Sequence, residues 1–553
     1  MVNKKIIYLV LGIILTTHLI FFLFFIKETI IFQDASFHQS VIEGTITNES
    51  LIDSVPFAKG AYGFPRYIEN YPVSYPQIYY VFGSVISFLF PLKTVYFVDL
   101  IITTSLILIS FLLAREITKK NSLAVLFSTL VAVCSGFSYS HGNNNLILLF
   151  AGVVSFFSLY CYLNKKNKVY LILTTIFSVF LLGTKQLAYF YLIGLILATL
   201  VYLIKKEDHS KIKKFLLIAL LILILSLPIL GYQIYTTGTI STPAVEGWPI
   251  VDTYILNPNY LKIDSWQKEI DEIVNISYLN EIGATKYYQV NNKLTRLIFS
   301  PIELFNQYFN PTTITLLPKV LKQSINPFLL IIFFILGLLA IFKEKNKLLN
   351  YLLCGIITFG IIVIALTSKI EYFLFLPFFG LLITTLGILN NNSQKRVKFF
   401  IIFILLILFV SYTSAEIKKI SDFSKETYMR GIIPGGYNST LELTNWIKEN
   451  TNSSDLILAG NTQDLPYYSK RNFFWDYRLF FLNEKDLDKY LILYPNLEYI
   501  IITKNQITDE FTNWVEIPKN SIFLSLLQEE KGFIKVYEKN DFTIYRLKNE
   551  TNL

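Results

Sequence analysis

The sequence predicts an α-helical polytopic membrane protein of about eleven transmembrane helices, followed by a small C-terminal extracytoplasmic α/β domain. Hydrophobic residues make up 53% of the 553 residues, charged residues only 16%, and the mean hydropathy is +0.48. Apolar runs of roughly 17 to 25 residues, long enough to cross a bilayer as helices, recur along residues 1–415. Charged and turn-forming residues become frequent in residues 416–553. These observations together predict a membrane domain and a separate soluble domain.

The first apolar run, Ile6–Ile26, is predicted to be a retained transmembrane helix. It is too long for a removed signal peptide, and no small-residue cleavage site follows it. Further spans are expected at Val95–Leu113, Leu123–Tyr139, Leu146–Leu163, Val169–Leu182, Leu187–Ile204, Phe215–Tyr235, Phe328–Phe342, Leu348–Leu366, Tyr372–Leu389 and Phe399–Tyr412.

Lysine and arginine gather in alternate loops, which predicts the orientation of the helices because basic residues favour cytoplasmic loops. The N-terminus is then cytoplasmic, and the large loops 27–94 and 236–327 are extracytoplasmic together with the C-terminal domain. The apolar segment Ile78–Phe90 leaves an alternative open, since a further span there would reverse the orientation of Arg115 and its neighbours. At about 13 residues it is short for a span, so we expect a juxtamembrane helix at the outer interface.

The C-terminal region alternates short β-rich runs with helical patterns, as is typical of a small α/β domain. Pro434-Gly-Gly436 marks its junction with the membrane domain. The three cysteines, Cys134, Cys161 and Cys354, are distant in sequence and support neither a disulfide framework nor a cysteine metal site. Strands are expected at Leu456–Ala459, Asn472–Trp475, Tyr499–Thr503, Phe533–Tyr537 and Phe542–Arg546, and helices at Leu441–Asn450 and Asp486–Leu493.

The candidate catalytic residue is Asp34, which stands directly beyond the first span in the segment Phe32-Gln-Asp-Ala-Ser-Phe-His38. His38 follows four residues later, so both side chains would project from one face of a short helix toward the membrane surface. A carboxylate there could accept a proton from an acceptor hydroxyl. An alternative is that Asp34 caps the helix and that His38 is a structural interfacial histidine.

In the order of its motifs, the chain resembles the GT-C membrane glycosyltransferases, which include protein O-mannosyltransferases, aminoarabinose-lipid transferases and oligosaccharyltransferase catalytic subunits. The resemblance rests on Asp34 after the first span and on an outer C-terminal domain. The other matching segments are Tyr75-Pro-Gln-Ile-Tyr-Tyr80, Gly183-Thr-Lys-Gln186 and Tyr372-Phe-Leu-Phe-Leu-Pro377. It implies transfer of a sugar from a polyprenyl-phosphate donor at the outer membrane face, with inversion and with Asp34 as the general base.

A departing phosphate gains negative charge and needs a nearby cation. Lys185 is the candidate, because it lies between two spans at the depth expected of a lipid phosphate; the alternative is a snorkelling interfacial lysine. Asp99, four positions into a span, is a candidate for lining the donor site, unless it is shallow enough to be hydrated. Lys369 and Tyr372 stand at the later motif and are further substrate-binding candidates, although Glu371 replaces the arginine usual in the family.

Metal dependence stays open. The second outer loop, Ser138-Tyr-Ser-His-Gly-Asn-Asn-Asn145, carries amides where many relatives place a second carboxylate. Its candidate substrate-binding residues are His141, Asn144 and Asn145, and the alternative is a polar loop tip. Two carboxylates would attract a divalent cation far better than amides, so no cofactor is certain and a metal-independent enzyme is favoured.

Other functions also fit parts of the pattern. Trp475-Asp-Tyr477 resembles part of an oligosaccharyltransferase acceptor signature, although Phe474 and Arg478 depart from it. A lipid-linked-saccharide flippase or other transporter would also be polytopic, and a membrane scaffold would leave Asp34, Asp99 and Lys185 unexplained. The expected partners are the donor lipid, membrane lipids and a lipid, glycan or protein acceptor. The formal charge of +9 is explained by cytoplasmic loops, so no nucleic acid is expected, and a prokaryotic plasma membrane is the expected location.

Overall fold

The computed structural model divides into two compact units, which we call the helical unit and the sheet unit. The helical unit comprises Met1–Thr29, Tyr75–Gly231 and Ser300–Ser421, and the sheet unit comprises Ile30–Ser74, Tyr232–Phe299 and Asp422–Leu553. The residues that the structure describes are 4–28, 31, 34–47, 78–133, 145–165, 167–184, 188–237, 347–367, 374–390, 436–460, 464–474, 479–480, 496–508, 517–519, 521–539 and 542–548.

Helices account for most of the described residues. Helix α2 and helices α12 to α14 belong to the sheet unit, and the other helices to the helical unit, except that α9 continues past Gly231 into the sheet unit. In chain order they are α1 (Lys4–Glu28), α2 (Asp34–Thr47), α3 (Ile78–Ser87), α4 (Thr94–Thr118), α5 (Asn121–Val133), α6 (Asn145–Lys165), α7 (Lys168–Leu182), α8 (Ala188–Lys205), α9 (His209–Thr237), α10 (Lys347–Thr367), α11 (Phe375–Asn390), α12 (Gly436–Asn450), α13 (Asp464–Ser469) and α14 (Ile522–Gln528).

Helices α1, α4, α6, α8 and α9 are long and apolar enough to cross a membrane. The predicted spans that fall on described residues coincide with these helices and with α5, α7, α10 and α11, usually to within a few residues. The predicted helical membrane fold with a small C-terminal sheet is therefore confirmed. The expected spans Phe328–Phe342 and Phe399–Tyr412 lie outside the described residues, and the total of about eleven remains a prediction.

Polar contacts identify which helix ends lie together. Lys93, in the left-handed conformation at φ 57°, precedes α4 and donates from Nζ to the carbonyl of Ile26 near the end of α1, at 2.6 Å. At the other end of α4, Glu116 forms ion pairs with Lys119 at 2.6 Å and with Lys165, at the end of α6, at 2.7 Å. We call these two ends of the bundle the Lys93 end and the basic end.

Helix α3 lies at the Lys93 end and is short. The amide of Ile78 donates to the carbonyl of Gly183, just past the end of α7, at 3.1 Å. With 10 residues α3 is about 15 Å long, half the thickness of the hydrocarbon core. The interfacial placement of Ile78–Phe90 remains a prediction.

Small residues let the bundle helices approach closely. A Cβ added at Gly355 of α10 would lie 2.6 Å from the carbonyl oxygen of Gly194 in α8 and 2.7 Å from the Cβ of Ala198. A Cβ at Gly152 of α6 would lie 2.2 Å from the ring of Phe375 in α11. Backbone contact of this kind is common between membrane helices, where van der Waals packing replaces the hydrophobic effect.

The sheet unit contains a five-stranded mixed sheet of order β2-β1-β3-β7-β6 and a two-stranded parallel sheet of β4 and β5. Strand β1 pairs in parallel with β2 and β3, whereas β7 pairs antiparallel with β3 and β6. The strands are β1 (Leu456–Ala459), β2 (Asn472–Phe474), β3 (Leu497–Thr503), β4 (Ile507–Thr508), β5 (Ile517–Pro518), β6 (Phe533–Lys539) and β7 (Phe542–Leu547).

The five predicted strands are all confirmed, with ends shifted by at most a few residues. The predicted helix at Leu441–Asn450 begins earlier, at Gly436, and the one at Asp486–Leu493 lies outside the described residues. Helices α13 and α14 and the small sheet of β4 and β5 were not expected from the sequence. They are short elements of two to seven residues, too brief to show a periodic pattern.

The core of the sheet unit is formed by apolar side chains of α12, α13 and the sheet, and Trp446 and Tyr537 pack against it. This interior is filled by residues of which almost no surface is exposed: Leu443, Ile447, Ile457, Ala459, Leu465, Phe473, Tyr499, Ile501, Phe542 and Ile544. Helix α13, which lies in the connection from β1 to β2, contributes Leu465 and is thereby fixed to the sheet.

Candidate functional site

The helix that begins at Asp34 belongs to the sheet unit and packs against α13. The hydroxyl of Ser36 in this helix donates a hydrogen bond to the carboxylate of Asp464, the first residue of α13. The hydroxyl of Tyr468, further along α13, donates to the carbonyl of Ile31. Contacts therefore fall on both sides of Asp34, three residues before it and two residues after it.

The predicted short helix is present as α2, and Asp34 is its first residue. His38, however, is buried with 4% exposure, and its ring lies edge-on to that of Phe37 at 5.3 Å. His38 is thus packed inside the unit, and its role in binding remains a prediction.

In the helical unit, Asp99 is fully buried. The expectation that it could be shallow and hydrated is therefore wrong. Tyr79 and Tyr80 of α3 and Tyr96 of α4 are likewise buried, and the Tyr79 side chain interacts electrostatically with the Asp99 carboxylate. Sequence analysis missed these tyrosines as site residues, although Tyr79 and Tyr80 are part of the Tyr/Pro motif that it singled out.

The start of α3 also lies beside the loop that carries Lys185. Gly183 accepts the hydrogen bond from Ile78, and a Cβ at Gly183 would lie 2.2 Å from Ile78 Cδ1. Lys185 itself is outside the described residues, two positions further along the chain. The structure thus places the approach to the Lys185 loop next to the turn of α3 that holds Tyr79 beside Asp99.

Asn145 is the first residue of α6 and is buried with 2% exposure. It occupies the end of α6 opposite Lys165, and therefore the end of the bundle opposite the basic end. Two turns further along α6, the carbonyl of Gly152 accepts a hydrogen bond from Tyr191 of α8 at 2.7 Å, and the Tyr191 ring stacks on Phe375 at 4.0 Å. Asn145 is consequently set in a tightly packed part of the bundle rather than on an open loop tip.

The remaining candidates, His141, Asn144, Lys369 and Tyr372, lie outside the described residues. Their proposed roles therefore stay predictions from the sequence. Among the residues that the structure describes, no group of three or more His, Cys, Asp or Glu side chains could hold a metal ion.

Arrangements within each unit suit parts of a transfer reaction. The helical unit collects a buried carboxylate and phenolic hydroxyls at its Lys93 end, and these groups can donate and accept hydrogen bonds. The sheet unit presents an acidic residue at the start of a helix whose position is fixed by side chains from a sheet-bound helix. A carboxylate at such a place is suited to accept a proton.

The sequence matches no protein-family model and no curated protein. Two solved structures are similar to this chain along almost its whole length. One is ArnT from Cupriavidus metallidurans bound to undecaprenyl phosphate, with a TM-score of 0.47 and 10% identity over 97% of each chain. The other is ArnT from the same organism in the apo state, with a TM-score of 0.46 and 11% identity over 97% of each chain. A likeness at these values does not by itself assign a function.

Proposed function

We propose that this protein is a membrane glycosyltransferase of the GT-C type that transfers a sugar from a polyprenyl-phosphate donor to an acceptor at the outer membrane face. The observation that carries the proposal is the position of Asp34: it is an acid at the first residue of a helix, and it follows the end of the first apolar span by six residues. Catalytic groups that act on membrane-bound donors are needed where a span meets water.

The distribution of charge supports an outer site. Arg115, Lys119, Lys165 and Lys205 terminate α4, α6 and α8 at the basic end, and basic residues favour the cytoplasmic side. The opposite end, where α1 ends and α4 begins, is then extracytoplasmic. Asp99, the tyrosines of α3 and Asn145 belong to that outer end, and Asp34 follows α1 as it leaves the membrane there.

In the proposed reaction Asp34 accepts the proton of the acceptor hydroxyl while the hydroxyl oxygen attacks the anomeric carbon of the sugar. The bond from that carbon to the phosphate oxygen breaks, and its electron pair leaves on the phosphate. Attack opposite the leaving group inverts the configuration. Lys185 is proposed to stabilise the departing phosphate, and Asp99, His38, His141, Asn144, Asn145, Lys369 and Tyr372 remain proposed contributors to donor or acceptor binding.

The proposal is tested by a transfer assay with purified protein, polyprenyl phosphate carrying radiolabelled mannose, glucose or aminoarabinose, and bacterial membrane extract as the acceptor source. Asp34→Asn removes the base with little change in shape, and we expect loss of product by about 100-fold or more. Asp208→Asn is the matched control. Asp208 lies at the basic end and pairs with Lys211 at 2.6 Å, so the same substitution there should leave transfer unchanged.

Unaltered transfer by Asp34→Asn would refute the assignment of the base. Movement of labelled lipid across vesicles by the native chain, with no glycosidic product for any of these donors, would instead identify a lipid-linked-saccharide transporter and overturn the enzymatic proposal.

A further inference from the structure

We propose that Asp464 and Tyr468 of α13 are positioning residues that hold the first turn of α2, and with it Asp34, in the place that catalysis requires. The inference rests on the proposed function of Asp34 as the base. It adds that the C-terminal part of the chain is a component of the catalytic apparatus, over and above any part in choosing the acceptor.

The two hydrogen bonds fix the chain on both sides of Asp34. Tyr468 holds the carbonyl of Ile31 before the helix begins, and Asp464 accepts from Ser36 within its first turn. A helix secured at only one of these points could pivot about it. With both secured, the direction in which α2 begins is determined, and its first residue is determined with it.

Because Ser36 and Asp464 are buried, breaking the hydrogen bond between them is costly. The two residues are 0% and 1% exposed, so water has little access to the carboxylate of Asp464. A buried carboxylate that loses a hydrogen-bond donor is left with a large desolvation cost, and hydrogen bonds to charged groups are stronger than neutral ones. Alternative placements of α2 that break this bond are therefore strongly disfavoured.

A third contact lies further along α2. Lys470, which follows α13, pairs with Glu43 at 3.0 Å, and Gln39 donates to the same carboxylate at 3.1 Å. Lys470 and Glu43 retain 44% and 37% of their side-chain surface in solvent. Pairs this exposed contribute little, so the two contacts around Asp34 carry the positioning.

Helix α13 is itself a rigid support. Leu465 belongs to the core of the sheet unit, and α13 is followed directly by β2, which pairs with β1. A site whose supporting residues are locked by packing holds its geometry better than one placed on a free loop. The six residues of α13 thus connect the start of α2 to the packed core of the sheet.

The test uses the full chain in detergent micelles or nanodiscs and compares Tyr468→Phe with Tyr499→Phe. Both substitutions remove one phenolic hydroxyl that donates to a backbone carbonyl. Tyr499 donates to Asn450, at the end of α12, at 3.0 Å, whereas Tyr468 donates to Ile31 before α2. We expect Tyr468→Phe to raise amide hydrogen exchange at the start of α2 by about three- to tenfold. We expect Tyr499→Phe to leave exchange in α2 unchanged.

The kinetic readout uses the labelled polyprenyl-phosphate donor. A misplaced base slows the chemical step without weakening donor binding, so Tyr468→Phe should lower kcat by about 10- to 100-fold at an unchanged KM for the donor. Ser36→Ala provides a second variant that removes the other contact. It should reproduce the pattern if Tyr468→Phe fails to fold.

Unchanged exchange in α2 with both Tyr468→Phe and Ser36→Ala would overturn the inference whatever the chain catalyses, and so would faster exchange with unchanged kcat. If the native chain transfers no sugar from any donor while Tyr468→Phe still raises exchange in α2, the proposed function fails and the contact is structural only. All three outcomes reject a positioning role in catalysis. Transfer by the native chain distinguishes failure of the proposed function from a contact that is structural only.

Discussion

The helical unit and the sheet unit differ in where their apolar side chains lie. Helices of the first expose large aliphatic residues, among them Leu9 at 63% and Leu217 at 65%, because lipid rather than water surrounds them. The second encloses a cluster of apolar residues in its core and carries ion pairs such as that of Lys539 with Glu442 on its surface. Exposing an apolar side chain therefore costs little free energy in the helical unit, where it faces lipid, and more in the sheet unit, where it would face water.

The two units also differ in the hydrogen-bond partners of their buried polar residues. Buried hydroxyls in the helical unit bond mostly to the carbonyl four residues earlier, as Ser110 does to Leu106 and Thr199 to Leu195. Such groups are satisfied by their own helix and need no partner elsewhere. The carboxylate of Asp99, when ionised, has no proton to donate to a helix carbonyl in this way, which makes its burial informative. In the sheet unit, the informative polar contacts are those between α2 and α13.

The largest expected contrast comes from truncating one apolar residue in each unit. Phe473→Ala opens a cavity in the core of the sheet unit and should lower the free energy of unfolding by about 3–5 kcal/mol. Leu217→Ala, on the exposed face of α9, replaces contacts with lipid tails that are as apolar as leucine and should have little effect. Thermal unfolding of the purified chain, followed by intrinsic fluorescence, measures both. Equal losses would contradict the lipid-facing assignment of α9.

A smaller contrast is expected within the helical unit, between two glycines. Gly355→Ala places a methyl group against the backbone of α8 and should cost about 1–3 kcal/mol by overpacking. Gly12→Ala meets nothing within 4 Å and should stabilise α1 by up to about 1 kcal/mol, since alanine favours helix more than glycine does. Melting temperatures of the two variants in the same detergent provide the comparison. If Gly355→Ala were tolerated as well as Gly12→Ala, α8 and α10 would not pack through Gly194 and Gly355.

The smallest effect is expected at the surface of the sheet unit and depends on pH. Burial, and then the nearby Asp455 carboxylate, raise the pKa of Glu498, while Arg546 acts in the opposite direction. A carboxyl whose pKa is higher in the folded than in the unfolded chain favours folding while protonated, and this contribution is lost as pH rises through the folded-state pKa.

Glu498→Gln should therefore increase the free energy of unfolding at pH 7 by up to about 0.5 kcal/mol and raise the melting temperature slightly. Below the ordinary glutamate pKa the substitution should bring no such benefit. Melting curves of both proteins from pH 4 to pH 7 measure the difference. A benefit that grows as pH falls would contradict the assigned direction.

Much of the fold could be predicted because its signals are local. Long apolar runs determine α1, α4 and α6, and the alternation of short β-rich runs determines the strands of the larger sheet. The approach of Gly194 to Gly355 could not be predicted, because single glycines do not reveal which helix they face. The left-handed conformation of Lys93 likewise has no clear sequence signal.

The candidate site was predictable only in part. Asp34 could be found because it follows a span directly, and Asp99 because a charge inside an apolar run is conspicuous. The contact of Ser36 with Asp464 joins residues 428 positions apart, and nothing near either residue predicts the other. The burial of His38 could not be read from the spacing of α2 either.

The central claim is that Asp34 lies on the extracytoplasmic side, and labelling of introduced cysteines tests it most directly. Ile46→Cys, exposed near the end of α2, and Lys206→Cys, just beyond α8 at the basic end, are made in a chain whose three native cysteines are replaced. A membrane-impermeant maleimide applied to intact cells should label position 46 and not position 206, with both labelled after permeabilisation. Labelling of position 206 in intact cells, with position 46 protected until permeabilisation, would contradict the account.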